Sequence, residues 1–89
     1  MSLDFPNQMR SFYPTKNRIC FWGFDEIMEV TFFIEASAIQ KLNPLIDNSQ
    51  NGLLEAFDVL IDQIHAAAHD VYKRRKKGSY VFFLGVADF

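Results

Sequence analysis

The spacing of hydrophobic positions along this chain changes character partway through. Between Arg18 and Glu35 apolar residues crowd together or alternate one by one, and from Leu53 onward they recur at steps of three and four. The later stretch, LLEAFDVLIDQIHAAAHDVYKRRKK from Leu53 to Lys77, contains neither proline nor glycine. Leu53, Phe57, Leu60, Ile64, Ala68 and Val71 form its stripe, widened by Leu54, Ile61 and Tyr72. That period predicts one amphipathic helix, roughly 35 Å long at about 1.5 Å per residue, ending before Gly78. Upstream, RICFWGF (Arg18 to Phe24) and IMEVTFFIE (Ile27 to Glu35) are rich in aromatic and β-branched residues and predict two strands joined at Asp25 and Glu26. In the second, Met28, Val30, Phe32 and Ile34 point one way and Glu29, Thr31 and Glu35 the other, with Phe33 breaking the alternation.

Shorter elements fill the gaps. Ser37 to Leu42 predicts a short helix with Ser37 as its N-cap, stopped by Pro44. The polar turn from Asp47 to Gly52 offers Ser49 or Asn51 as a cap for the long helix. Ser79 to Ala87 (SYVFFLGVA) predicts a third full strand. Residues 1–16 contain Pro6 and Pro14 with isolated anchors at Leu3, Phe5, Met9, Phe12 and Tyr13, the pattern of an N-terminal arm that contributes an edge strand around Leu3 to Phe5. The expected architecture is a single α+β domain over residues 1–89: arm, β, β, short α, long α, β. One sheet of three to four strands would carry a short and a long helix on one face.

Two helices cover only one face of such a sheet, yet two of the three main strands are apolar on both sides. In the first strand Ile19, Phe21 and Gly23 alternate with Cys20, Trp22 and Phe24. In the last, Val81, Phe83 and Gly85 alternate with Tyr80, Phe82, Leu84 and Val86. A sheet with one face in water should alternate apolar with polar. The second face therefore needs a cover: the arm folding over it through Phe5, Met9, Phe12 and Tyr13, a second subunit, or a partner or apolar ligand. An apolar surface made of Cys20, Trp22, Phe24, Tyr80, Phe82 and Leu84, rimmed by charge, is the expected interaction site, with a homodimer or another protein as its occupant.

Composition adjusts this picture in places. An apolar fraction of 49%, including ten phenylalanines, supplies bulk to a chain of 89 residues, near the size where a single core becomes marginal. A lone cysteine excludes an internal disulfide, and the first dozen residues lack the apolar run of a signal peptide, so a cytoplasmic location is expected. No apolar run is long enough to span a bilayer. Net charge is −2, but Lys73, Arg74, Arg75, Lys76 and Lys77 form one basic run. The remainder carries four positive charges against eleven negative, a net of −7. An acidic body with one basic knot is a poor nucleic-acid profile, although the run offers phosphate contacts to a regulator of that kind. Cations at a helix C-terminus also simply complement the helix dipole.

Candidate chemistry is sparse. Asp58, Asp62, His65 and His69, spaced four, three and four, share one side of the predicted helix, and histidines four apart can reach one metal. Ala66 stands where an HExxH peptidase needs its glutamate, so that chemistry is excluded. Cys20 has no base nearby in sequence to generate a thiolate. The four glycines form no nucleotide-binding loop. No catalytic residue and no cofactor is implied.

Several residues carry a family likeness: Phe5-Pro6 near the start, Ile19-x-Phe21, Val30-x-Phe32-x-Ile34 leading into Ser37-Ala38-Ile39, Leu54-x-Ala56-Phe57, and the closing Asp88-Phe89. Over nearly the whole chain this pattern resembles the small bacterial proteins grouped as the DUF1488 family, whose function is unknown. The resemblance implies a compact α+β domain and brings no activity, cofactor or catalytic residue with it. The functional expectation is a non-catalytic interaction or regulatory domain working through its apolar sheet face. The alternatives are a nucleic-acid-associated regulator using the basic run and a metal-binding protein or enzyme using the histidine/aspartate face.

Overall fold

The computed structural model describes residues 3–6, 10–47, 49–74 and 78–89. Among these residues five strands form one mixed sheet: β1 (Leu3–Asp4), β2 (Arg10–Tyr13), β3 (Arg18–Asp25), β4 (Met28–Glu35) and β5 (Val81–Leu84). Three helices, α1 (Ala36–Leu42), α2 (Gln50–Val59) and α3 (Ile61–Lys73), pack on one face, and a 3-10 turn follows at Val86–Asp88. The α+β class and the one-sided helix layer match the sequence expectation. The sheet has more strands and the layer one more helix than expected.

The long β3–β4 hairpin is the spine. Its antiparallel register runs from Arg18↔Glu35 to Asp25↔Met28, so the connection is Glu26–Ile27, one residue later than the sequence implied. Glu26 takes a left-handed φ of 57°, the kind of backbone that hairpin turns demand and glycine normally supplies. The arm supplies two strands, β1 and β2, both antiparallel to β3. Gly23 allows that close approach: a Cβ there would lie 2.6 Å from the Asp4 carbonyl oxygen and 2.9 Å from the Phe5 ring. On the other side β5 pairs parallel to β4, with Phe32↔Phe82 and Phe33↔Phe83 in register, after the helical crossover that parallel pairing requires. β5 is short and lies at the sheet's edge, ending at Leu84 where the sequence predicted a strand to Ala87.

The predicted long helix is two helices. At Leu60 the backbone turns to φ −94°, ψ 11°, although Leu60 N–H still bonds the Ala56 carbonyl and Ile64 N–H the Leu60 carbonyl. No glycine or proline marks the break. Ser49, one of the two proposed caps, begins α2: its hydroxyl accepts from Gly52 N–H at 3.1 Å. Ser37 does not cap α1, because the helix starts at Ala36 and Glu35 occupies the cap position without a side-chain bond.

The core lies between sheet and helices and is aromatic at its centre. Phe21 stacks on Phe32 with centroids 5.2 Å apart, and Phe57 of α2 leans on Phe21 at 5.3 Å. Phe82 stacks on Phe32 at 5.5 Å and meets Tyr72 of α3 edge-on at 5.7 Å. Ile19, Val30, Ile34, Ile39, Leu53, Ile64 and Leu84 complete the buried cluster. Tyr72 donates its hydroxyl to Asp25, tying α3 to the end of β3. Lys41 donates to the carbonyls of Val86 and Phe89 at 3.1 and 3.0 Å, pinning the 3-10 turn beside α1.

Candidate interaction surface

With every described helix on one face, the opposite face of the sheet carries no layer. Strand register assigns its residues row by row. Tyr13, Arg18 and Glu35 form the first row, and Ser11, Cys20, Phe33 and Phe83 the second. Trp22, Thr31 and Val81 form the third, and Asp4, Phe24 and Glu29 the fourth. An aromatic ladder links the first two rows: Tyr13 meets Phe33 edge-on at 5.6 Å, and Phe33 stacks on Phe83 at 5.3 Å. Arg18 reaches across β4 and lays its guanidinium 5.1 Å from the Phe83 centroid. Phe83 and Val81 remain more than half exposed, at 57% and 55%, with Tyr13 at 47%. Phe33, Trp22 and Phe24 are half-buried, and Cys20 is buried.

Of the six residues expected to form an interaction surface, three lie on this face. Cys20, Trp22 and Phe24 lie on this outer face. Phe82 and Leu84 do not: the parallel register sets them beside Phe32 and Ile34, buried under the helices. Tyr80 precedes β5, packs against the core and offers its carbonyl to Thr31 N–H. Val81 and Phe83 take the outer positions instead. Nor does the arm cover this face. Phe5 and Phe12 turn to the helix side, only Tyr13 joins the outer surface, and Met9 lies outside the described residues. Arg18, Phe33, Val81 and Phe83 are the residues that sequence reasoning missed. Phe33 had a signal, as the one apolar residue on the polar side of its strand.

The proposed metal-binding quartet does not converge. The break at Leu60 leaves Asp58 on α2, where Arg10 grips both its carboxylate oxygens at 2.9 and 2.8 Å. His65 lies flat on Phe5, with centroids 3.9 Å apart and planes 7° from parallel, and His69 meets the same ring edge-on at 5.6 Å. Burial lowers the His65 pKa, as does His69, while Asp62 opposes the shift. Among the described residues no group of three His, Cys, Asp or Glu side chains is arranged to hold a metal ion. The histidines serve as a platform for the arm.

Cys20 lies across the sheet from both histidines. Burial pushes its thiol pKa upward, with Glu29 adding to the shift, opposite to what a nucleophile requires. Of the basic run, Lys73 ends α3 and is exposed, and Arg74 folds back to the Asp70 carbonyl at 3.3 Å. Arg75, Lys76 and Lys77 lie outside the described residues. Among the described residues no helix is long and apolar enough to cross a membrane.

What this geometry defines is a small α+β domain with a helical back and an open aromatic front. The model of the family described as protein of unknown function (DUF1488) matches residues 3–84, and the chain belongs to that family. No curated protein and no solved structure matches it.

Proposed function

We propose that this chain is a non-catalytic interaction domain whose outer sheet face docks a protein partner, a second subunit or another chain. The observation that carries this reading is the ladder of Tyr13, Phe33 and Phe83, continued through Trp22 and Val81, on a sheet face without a helix layer. Large aromatic side chains contribute most of the energy at protein interfaces, and contiguous apolar patches rimmed by charge mark such sites. Here Arg18, Glu29, Glu35 and Asp4 supply the rim.

A photo-crosslinking amino acid at Val81, compared with one at Gln63 on the exposed side of α3, tests this in the native cell. A protein adduct at position 81 and none at 63 is the expected result. Equal labelling at both positions, or none at 81, removes the reading.

A further inference from the structure

Resting on the reading of the outer face as a docking surface, we infer that its occupant is a second copy of this chain. The two sheets meet face to face about a two-fold axis that runs along the strands between β3 and β4. Arg18 of each copy then meets Glu35 of the other.

The inference starts from an unsatisfied donor. Arg18 Nε is shielded from solvent and has no hydrogen-bond partner, although its guanidinium lies over Phe83. Glu35 is its direct cross-strand neighbour and is exposed, and its side chain makes no ion pair or hydrogen bond among the described residues. Nε is closed off within the chain itself, so an incoming carboxylate would pair with the terminal nitrogens of the same guanidinium, which make no ion pair or hydrogen bond among the described residues.

Charge also selects the orientation. Aligned stacking of two copies of one sheet allows two isologous arrangements. An axis in the interface but perpendicular to the strands lays each strand antiparallel over its own copy. Glu35 would then fall over Glu29, setting acid against acid twice. An axis parallel to the strands keeps each row and exchanges β3 with β4. It sets Arg18 over Glu35, Cys20 over Phe33, Trp22 over Thr31 and, at the far edge, Phe24 over Glu29, following the register of the hairpin. Phe83 of one copy then falls near Ser11 and Tyr13 of the other. In the two middle rows small residues thus receive large ones, and the Arg18–Glu35 pair occurs twice.

At about 4.8 Å between strands and about 6.7 Å between rows, the face is roughly 20 by 20 Å, a footprint of roughly 400 Å² on each copy before side-chain relief. The total of roughly 800 Å² lies below the range of stable specific interfaces and among weak, transient ones. The dimer should therefore dissociate on dilution and weaken with salt, since its charge pairs sit at the rim.

Sedimentation of the purified full chain from low to high micromolar concentration, in low salt, tests this with three variants. The wild type should pass from monomer to dimer as concentration rises. Arg18→Glu and Glu35→Arg should each weaken the dimer at least tenfold, and the double variant R18E/E35R should return to within a few-fold of the wild type. The rescue separates lost pairing from lost folding. Emission of Trp22, the one tryptophan, should shift to the blue in step with dimer formation. A wild-type dimer indifferent to the single reversals, or not rescued by the double, overturns the arrangement. A strict monomer overturns self-docking altogether. In that case the crosslinker at Val81 decides the underlying reading: adducts to a different protein in the cell keep the docking face, and absence of any adduct removes both.

Discussion

Phe82 and Phe83 are adjacent, chemically identical and placed by the fold on opposite sides of the sheet. Truncating each to alanine measures that placement. Phe82 is 9% exposed and sits between Phe32 and Tyr72, so Phe82→Ala opens a cavity in the aromatic core. The cost of such a change is about 3–4 kcal/mol. Phe83 is 57% exposed, with Phe33 and Arg18 as its contacts. Burying a phenylalanine fully stabilises by about 1.5–3 kcal/mol, and with roughly half that burial Phe83→Ala should cost about 1 kcal/mol. At about 4–8 °C per kcal/mol for a domain this small, the melting temperature should fall by roughly 12–30 °C for Phe82→Ala and by about 4–8 °C for Phe83→Ala. A chain of this length has a total stability of only about 4–13 kcal/mol, so the first variant is close to the limit of folding. Phe82→Leu preserves the comparison if it fails. The assay is urea and thermal unfolding followed by Trp22 fluorescence, at protein concentrations low enough to keep the outer face unoccupied. Equal losses, or a larger loss at Phe83, would refute the register that pairs Phe82 with Phe32, and the outer face with it.

Three further outcomes follow from the same packing. Burial holds His65 below its ordinary pKa, so the unfolded chain binds the proton more readily. Stability from this group is therefore present above the unfolded value, near 6.5, and is lost as pH falls through the folded one. Urea midpoints between pH 7.5 and 5 should drop more steeply in the wild type than in His65→Gln, and parallel slopes would count against the Phe5–His65 stack. Alanine for glycine within a helix normally stabilises by about 1 kcal/mol. Gly52→Ala should reverse that sign, because the new Cβ would lie 2.2 Å from the Asp47 carbonyl oxygen; a loss of about 1–3 kcal/mol in chemical denaturation is expected. Cys20, buried and with its thiol pKa pushed upward, should react with a thiol reagent at pH 8 at least tenfold more slowly in the folded protein than in urea. A similar rate in both would place the thiol at the surface.

Much of this molecule could be read directly from its residues. The hairpin from Arg18 to Glu35, the helical stripe after Leu53, a cap at Ser49 or Asn51 and the excess of apolar residues on two strands all follow from local rules of spacing and side-chain shape. Each of those rules acts within a few residues of chain. The break at Leu60 has no such local marker, since it falls between packed residues that keep an unbroken helical period. The side of the sheet taken by each half of β5 was equally hidden. Tyr80-Val81-Phe82-Phe83-Leu84 is apolar at every position, so alternation names two faces without saying which meets the helices. Pairing with β4 across more than forty residues of chain decides it, by setting Phe82 beside Phe32 and leaving Phe83 outside. The same long-range contacts place Phe5 on His65 and Arg10 on Asp58, turning apparent metal ligands into anchors for the arm. The sequence showed that two strands are apolar on both sides. Tertiary pairing settled which side chains form the outer face and left Arg18 and Glu35 without an ion pair among the described residues at one end of it, because register is a property of two strands together and is written in neither alone.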